Sequence, residues 1–229
     1  MIVAVYNALK FLRHHTYGEL FRRLCSAAVR PFYENTARYI VKLNLRCAAA
    51  PDPDLNTKEL TIADLDKMLQ IMYVSRTGLE ERFSRGDRCF ATIEKDKIVN
   101  SFWAQFGLND LCELHLKFIL GPTQTWMYNA LTVKSARGRG LYPNIIRYMA
   151  KVLLESGIEE AFIDVDPKNI SSIRGLEKAG YTRVALIRTR KVFSKLGYRL
   201  TVFDEDSWMQ LSQKIENLHV VQDVMRYNS

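Results

Sequence analysis

The chain has 229 residues, 48% hydrophobic and 11% aromatic, with a formal net charge of +8. That length can bury one good core, and no apolar run approaches the ~20 residues that span a bilayer, which excludes a membrane-spanning helix. The charge suits an anionic partner, whether nucleotide cofactor, nucleic acid or membrane surface, without choosing among them.

Residues from about 7 to 30 read as a basic amphipathic helical extension, interrupted at Gly18. Leu9, Leu12, Leu20, Phe21 and Leu24 make its apolar stripe, and Lys10, Arg13, Arg22, Arg23 and Arg30 its charge. Such a segment folds back onto the body or touches a membrane surface. Met1 to Tyr6 are apolar but lack the basic region and cleavage site of a signal peptide. Cys25, Cys47, Cys89 and Cys112 show no metal-ligand spacing and read as buried thiols of a reducing compartment. The expectation is a cytoplasmic protein without a metal, peripheral at most to the inner face of the membrane.

Tyr39, Val41, Leu43 and Leu45 alternate with polar residues and predict a strand, followed by a linker over Ala48 to Asn56. Thr61 with Asp64 starts a helix that carries Ile62, Leu65, Leu69 and Met72 on one face, and a short helix follows over Thr77 to Phe83. Cys89 to Ile93, Ile98 to Phe106 and Leu111 to Leu120 read as antiparallel strands. On the last, Glu113 and His115 stand two apart and would share a face. A strand over Thr125 to Val133 feeds a glycine-rich turn. A helical pattern follows, with Leu141, Ile145 and Met149 on one stripe.

Ala161 to Val165 then reads as a buried strand reached by a parallel crossover. A helix starts at the capping residue Asn169 and ends at Gly180, and strands cover Tyr181 to Phe193 and Tyr198 to Phe203. Ser207 and Gln210 make a capping box for a final helix bearing Trp208, Leu211, Ile215, Leu218, Val221 and Met225. Its stripe packs on the body or makes a homodimer contact. The domain plan is a helical extension over 1–33, one mixed α/β domain over 36–205 and a helix over 206–229.

Arg137-Gly138-Arg139-Gly140 lacks the Gly-Lys-Ser/Thr of an ATP-binding loop, and short Arg/Gly runs also occur in RNA-binding segments. Its place between a strand and a helix makes it an anion site, because free N–H groups and the helix dipole meet there. About thirty residues later stand Asn169, Ser172, Lys178, Gly180 and Tyr181.

Together these segments resemble the GNAT superfamily of acetyl-CoA-dependent N-acetyltransferases. Its central motif is Arg or Gln, two residues, Gly, one residue, then Gly or Ala. Arg137 and Gly140 match, and Tyr142 departs at the third position. Asn169, Ser172, Lys178, Gly180 and Tyr181 match the family's next segment in order and spacing. The resemblance spans roughly residues 36 to 205 and is specific from Thr125 to Tyr181.

It implies a single GNAT-like domain: a mixed, mostly antiparallel sheet with a splayed parallel pair, flanking helices and helical extensions at both ends. It also implies acetyl-CoA as acyl donor and a small-molecule primary amine, an amino sugar or amino-acid derivative, as acceptor. The backbone of Leu131 and Val133, with Thr132 between them, would meet the pantetheine arm. Gly138, Arg139, Gly140, Leu141 and Tyr142 would hold the pyrophosphate, Arg137 or Arg139 adding charge, while Asn169 and Ser172 contact its far side. The Tyr142 ring would cover the pantetheine or adenine.

Leu176 stands where many members carry a tyrosine acid, and Thr125 to Val133 holds no carboxylate. Candidate bases are therefore Glu113 and His115, and the candidate acid is Tyr128. Asp164 and Asp166 are secondary candidates. The competing readings are a longer acyl-CoA or acyl carrier protein donor, and a non-catalytic acyl-CoA- or RNA-binding module. Nucleic acid is the less favoured partner.

Overall fold

A computed structural model describes residues 33–193, 195–212 and 215–216. The basic extension expected over 1–33, with its membrane contact, lies outside them except for Tyr33. In chain order come β1 (Tyr33–Asn44), β2 (Thr57–Leu60), α1 (Leu65–Ile71), α2 (Arg76–Ser84), β3 (Arg88–Glu94) and β4 (Lys97–Gln105). Next are β5 (Leu108–Leu111), β6 (Leu116–Ile119), β7 (Gln124–Thr132), α3 (Leu141–Glu155), β8 (Glu160–Val165) and α4 (Ile170–Lys178). The hairpin β9 (Thr182–Val192) and β10 (Lys195–Val202), α5 (Glu205–Ser212) and β11 (Ile215–Glu216) complete the described chain.

The main sheet runs β10-β9-β1-β8-β7-β4-β3-β2, and a small second sheet runs β11-β6-β5. Among the described residues only β7 and β8 pair in parallel, as α3 crossing between them requires. Local chemistry sets the turns. Lys95 and Asp96, at φ 48° and 62°, close the β3–β4 hairpin, in the type I′ sense that matches strand twist. Ser75 caps α2 by accepting from the Gly78 N–H at 3.1 Å.

Both faces of the sheet are covered. On one, Ile145, Ile146, Met149 and Leu153 of α3 and Leu176 of α4 bury against Val41, Leu43, Phe102, Met127 and Ile163. Each such side chain contributes about 1.5–3 kcal/mol by leaving water. On the other face, α1 and α2 cover Cys89, Ala91 and Trp103. Beside them, the small sheet and α5 cover Ile40, Trp126, Phe162 and Val184.

Four expectations change. Leu111 to Leu120 is not one strand. The Leu114 N–H donates to the Leu111 carbonyl at 2.9 Å and His115 takes φ 55°, folding the segment into the β5–β6 hairpin. The helix expected over 206–229 stops at Ser212, and Ile215 pairs with Phe118. Pairing the open backbone of β6 there, with Ile215 buried, outweighs another helical turn. Residues beyond 216, with Leu218, Val221 and Met225, lie outside the described ones. Asp204, not Ser207, caps α5, accepting from the Ser207 N–H at 3.0 Å. Of the thiols expected inside, Cys89 is buried but Cys47 and Cys112 are exposed, while Cys25 lies outside the described residues.

Candidate active site

β7 and β8 stay paired only through Gln124–Trp126 and Glu160–Phe162. Beyond that the two strands diverge. Across from Ser101 to Trp103 on β4, β7 spends one extra residue, Tyr128 to Leu131, and Asn129 sits at φ 54°. An extra residue in one strand bends it and increases its twist, so β7 swings away from β8. The gap opens into a cleft of about 900 Å³ that includes Tyr128, Tyr142, Asp164, Val165, Asn169 and Ser172 in its lining.

The glycine turn follows β7 and leads into α3. Gly138 and Gly140 take φ 78° and 76°, in the left-handed region where a side chain strains the backbone. A Cβ at either would meet nothing within 4 Å, so the outer side of the turn is open. Gly140 caps α3, leaving the N–H groups of Leu141 and Tyr142 in the unpaired first turn. Pro143 follows, at a position that has no use for an N–H. These donors fit a diphosphate.

The arginines are less free than expected. Arg139 holds Glu94 in a two-pronged ion pair at 3.0 and 2.6 Å, and this bond keeps the Glu94 carboxyl below the usual carboxylate range. Arg137 Nε donates to the Thr132 carbonyl at 3.2 Å.

No family model matches the chain, and no curated protein matches it in sequence. Among solved structures, a GNAT-family acetyltransferase from Novosphingobium aromaticivorans superposes with a TM-score of 0.52 at 14% identity, covering 68% of this chain and 63% of its own. A Drosophila protein superposes at 0.50 and 14% identity, covering 78% and 59%. A glucosamine N-acetyltransferase region of a fungal multi-domain beta-N-acetylglucosaminidase superposes at 0.51 and 11% identity, covering 77% and 22%. The fold is the GNAT fold. The chain spans less than two thirds of each of these neighbours.

Within this GNAT fold the strand register differs by one residue from the sequence expectation. The Val133 N–H donates to the Val99 carbonyl at 2.9 Å, so it faces β4. Alternation then turns the backbone groups of Leu131 the same way and those of Thr132 away from β4, to the side from which β8 has parted.

Asn169 is placed as expected at the start of α4, its Oδ1 accepting from the Ser172 N–H at 3.1 Å. Tyr142 projects across to α4. Its ring lies on Gly175, where a Cβ would overlap Cδ1 and come within 2.9 Å of Cε1. Its hydroxyl is 3.4 Å from Ser172 Oγ, and Phe102 backs the ring at 5.7 Å.

The other wall carries a cluster that sequence patterning missed. Asp87, 4% exposed, accepts from the Tyr128 hydroxyl and from Arg85, each at 2.7 Å. Burial, with the bond to Asp87 adding, pushes the Tyr128 phenol well above its ordinary value. The Arg82 guanidinium lies 5.1 Å from the ring centres of both Trp103 and Tyr128, and its buried Nη1 has no hydrogen-bond partner among the described residues. In sequence Asp87 follows Gly86 and looks like an ordinary turn residue.

Glu113 and His115 do not share a strand face, since the β5–β6 turn separates them. Glu113 reaches the cleft rim, 3.8 Å from Arg38. His115 points elsewhere, with Nε2 3.4 Å from Glu34. Arg38, only 18% exposed, also pairs with Asp164 at 3.1 Å and Asp166 at 3.5 Å. Burial raises the Asp164 carboxyl, and Arg38 partly opposes this.

Proposed function

We propose that the protein is an N-acetyltransferase that moves an acetyl group from acetyl-CoA to a primary amine of a small molecule. The observation that carries this reading is the parting of β7 from β8 beside the open glycine turn. The backbone of Thr132 would pair with the pantetheine arm, the N–H groups of Leu141 and Tyr142 would hold the diphosphate, and Ser172 would line the far side. The donor, when bound, supplies a thioester carbonyl for attack by the amine.

The cleft lining carries the carboxylates of Asp87, Asp110, Glu113, Asp164 and Asp166 against three arginines. That balance attracts a cationic amine. An amino sugar fits the same chemistry, and the fungal neighbour is named for glucosamine.

Calorimetric titration with CoA, followed by mass spectrometry of an amine panel incubated with acetyl-CoA, tests the reading. Binding and an N-acetyl product are expected. Absence of CoA binding at millimolar concentration overturns it.

A further inference from the structure

Expelling a thiolate from a buried thioester needs a proton donor within the cleft. Among the described residues, two tyrosine hydroxyls line it, those of Tyr128 and Tyr142. They are differently committed. The Tyr128 hydroxyl donates to a buried carboxylate at 2.7 Å. Giving that proton away would leave a phenolate and the Asp87 carboxylate in contact, a like-charge pair in a poorly solvated site. The Tyr142 hydroxyl has a neutral partner, Ser172 Oγ, at 3.4 Å, the outer limit of a hydrogen bond. Its proton can be redirected at little cost.

The packing holds Tyr142 in place for such a role. Gly175 leaves the space that the ring occupies, and Phe102 supports its other side. Leu176, beside Gly175, is 1% exposed in the core and offers no hydroxyl. We propose, resting on the acyltransfer reading above, that Tyr142 is the catalytic acid that protonates the departing thiolate.

In the step, an N–C bond forms as the C–S bond breaks. The electron pair of the C–S bond leaves with sulfur, and Tyr142 Oη supplies the proton that completes the thiol. The proton lost by the amine passes to solvent, and Tyr142 recovers one from it. Burial, opposed by the bond to Ser172 and reinforced by the Asp164 charge, pushes the phenol up to about 12, so it stays protonated at neutral pH. The same burial penalises a thiolate, which is a stronger base there than the ~8.5 of a solvated thiol indicates. The ionisable groups bearing on Tyr142 are Asp164 on β8 and Tyr181 after α4.

The test compares wild type, Y142F and Y128F in three measurements. Calorimetry gives CoA affinity. Single-turnover acetyl transfer across pH gives the rate and its alkaline limb. The pH dependence of alkylation of bound CoA by iodoacetamide, read as alkylated CoA by mass spectrometry, gives the pKa of the bound thiol. Y142F is expected to bind CoA within about twofold of wild type, to transfer on the order of 10²-fold more slowly and to raise the pKa of the bound thiol. Equal rates and equal thiol pKa values in wild type and Y142F overturn the assignment, as does a rise in thiol pKa in Y128F alone. Failure of the acyltransfer reading is distinct, because wild type would then fail to bind CoA or would bind it without forming an N-acetyl product.

Discussion

Arg139 reaches from the glycine turn to the far end of the β3–β4 hairpin and holds Glu94 through both guanidinium nitrogens, at 3.0 and 2.6 Å. One of the two charges expected to face a diphosphate is thus already partnered. Removing Glu94's charge should release it. E94Q is expected to tighten CoA binding about twofold at low salt, with the gain shrinking at high salt as screening sets in. Calorimetry at two ionic strengths reads this, and equal affinities would show that Arg139 does not meet the ligand.

Gly175 and Tyr142 occupy one space between them. In G175A the added methyl overlaps the Tyr142 ring, and overpacking of this kind costs about 1–3 kcal/mol. Urea denaturation should show that loss. The double variant G175A/Y142A should show less than the sum of the two single losses, because the clash disappears with the ring.

Asp87 satisfies two donors from a nearly dry position. D87A leaves the Tyr128 hydroxyl without its acceptor, and stranding a buried donor costs about 1–3 kcal/mol. Y128F removes donor and hydroxyl together, so its loss should be smaller. An equal or reversed order in chemical denaturation would remove the Asp87–Tyr128 bond as a source of stability.

Asp164 has its carboxyl raised by burial. An acid with a raised folded-state pKa favours the fold when protonated. Its contribution is therefore fully present below the unfolded value and lost as pH rises through the folded one. Arg38 keeps Asp166 and Glu113 if the charge at 164 is removed. D164N should consequently raise the thermal midpoint relative to wild type more at pH 7 than at pH 3. The opposite ordering would mean that the ion pair with Arg38 outweighs desolvation.

What could be read from the residues was what is encoded locally. Gly138 and Gly140 need backbone that side chains avoid, Asn169 caps its own helix, and α3 carries its apolar stripe at helical spacing. The strand–turn–helix and the parallel crossover follow from such signals. Glu113 and His115 were misplaced because Leu111, Leu114 and Leu116 look like a strand, whereas the left-handed His115 that breaks it carries no glycine to announce it. The one-residue shift at Val133 depends on which carbonyl of β4 it meets. Nothing within Thr125–Val133 encodes that choice. Asp87 acquires its meaning only when Tyr128, some forty residues away, folds against it.

β1 lies between β8 and β9 in the middle of the main sheet, with Tyr39 opposite both Val165 and Leu186. A strand from the beginning of the described chain therefore completes its sheet only with segments made more than a hundred residues later. Closing loops of that length before any contact rewards them slows folding. During synthesis, β1 must wait on the ribosome with Ile40, Val41 and Leu43 uncovered until the last third of the chain emerges. Variants that weaken β8 or β9 should thus show up first as poor yield of soluble protein, before any defect appears in the molecules that do fold.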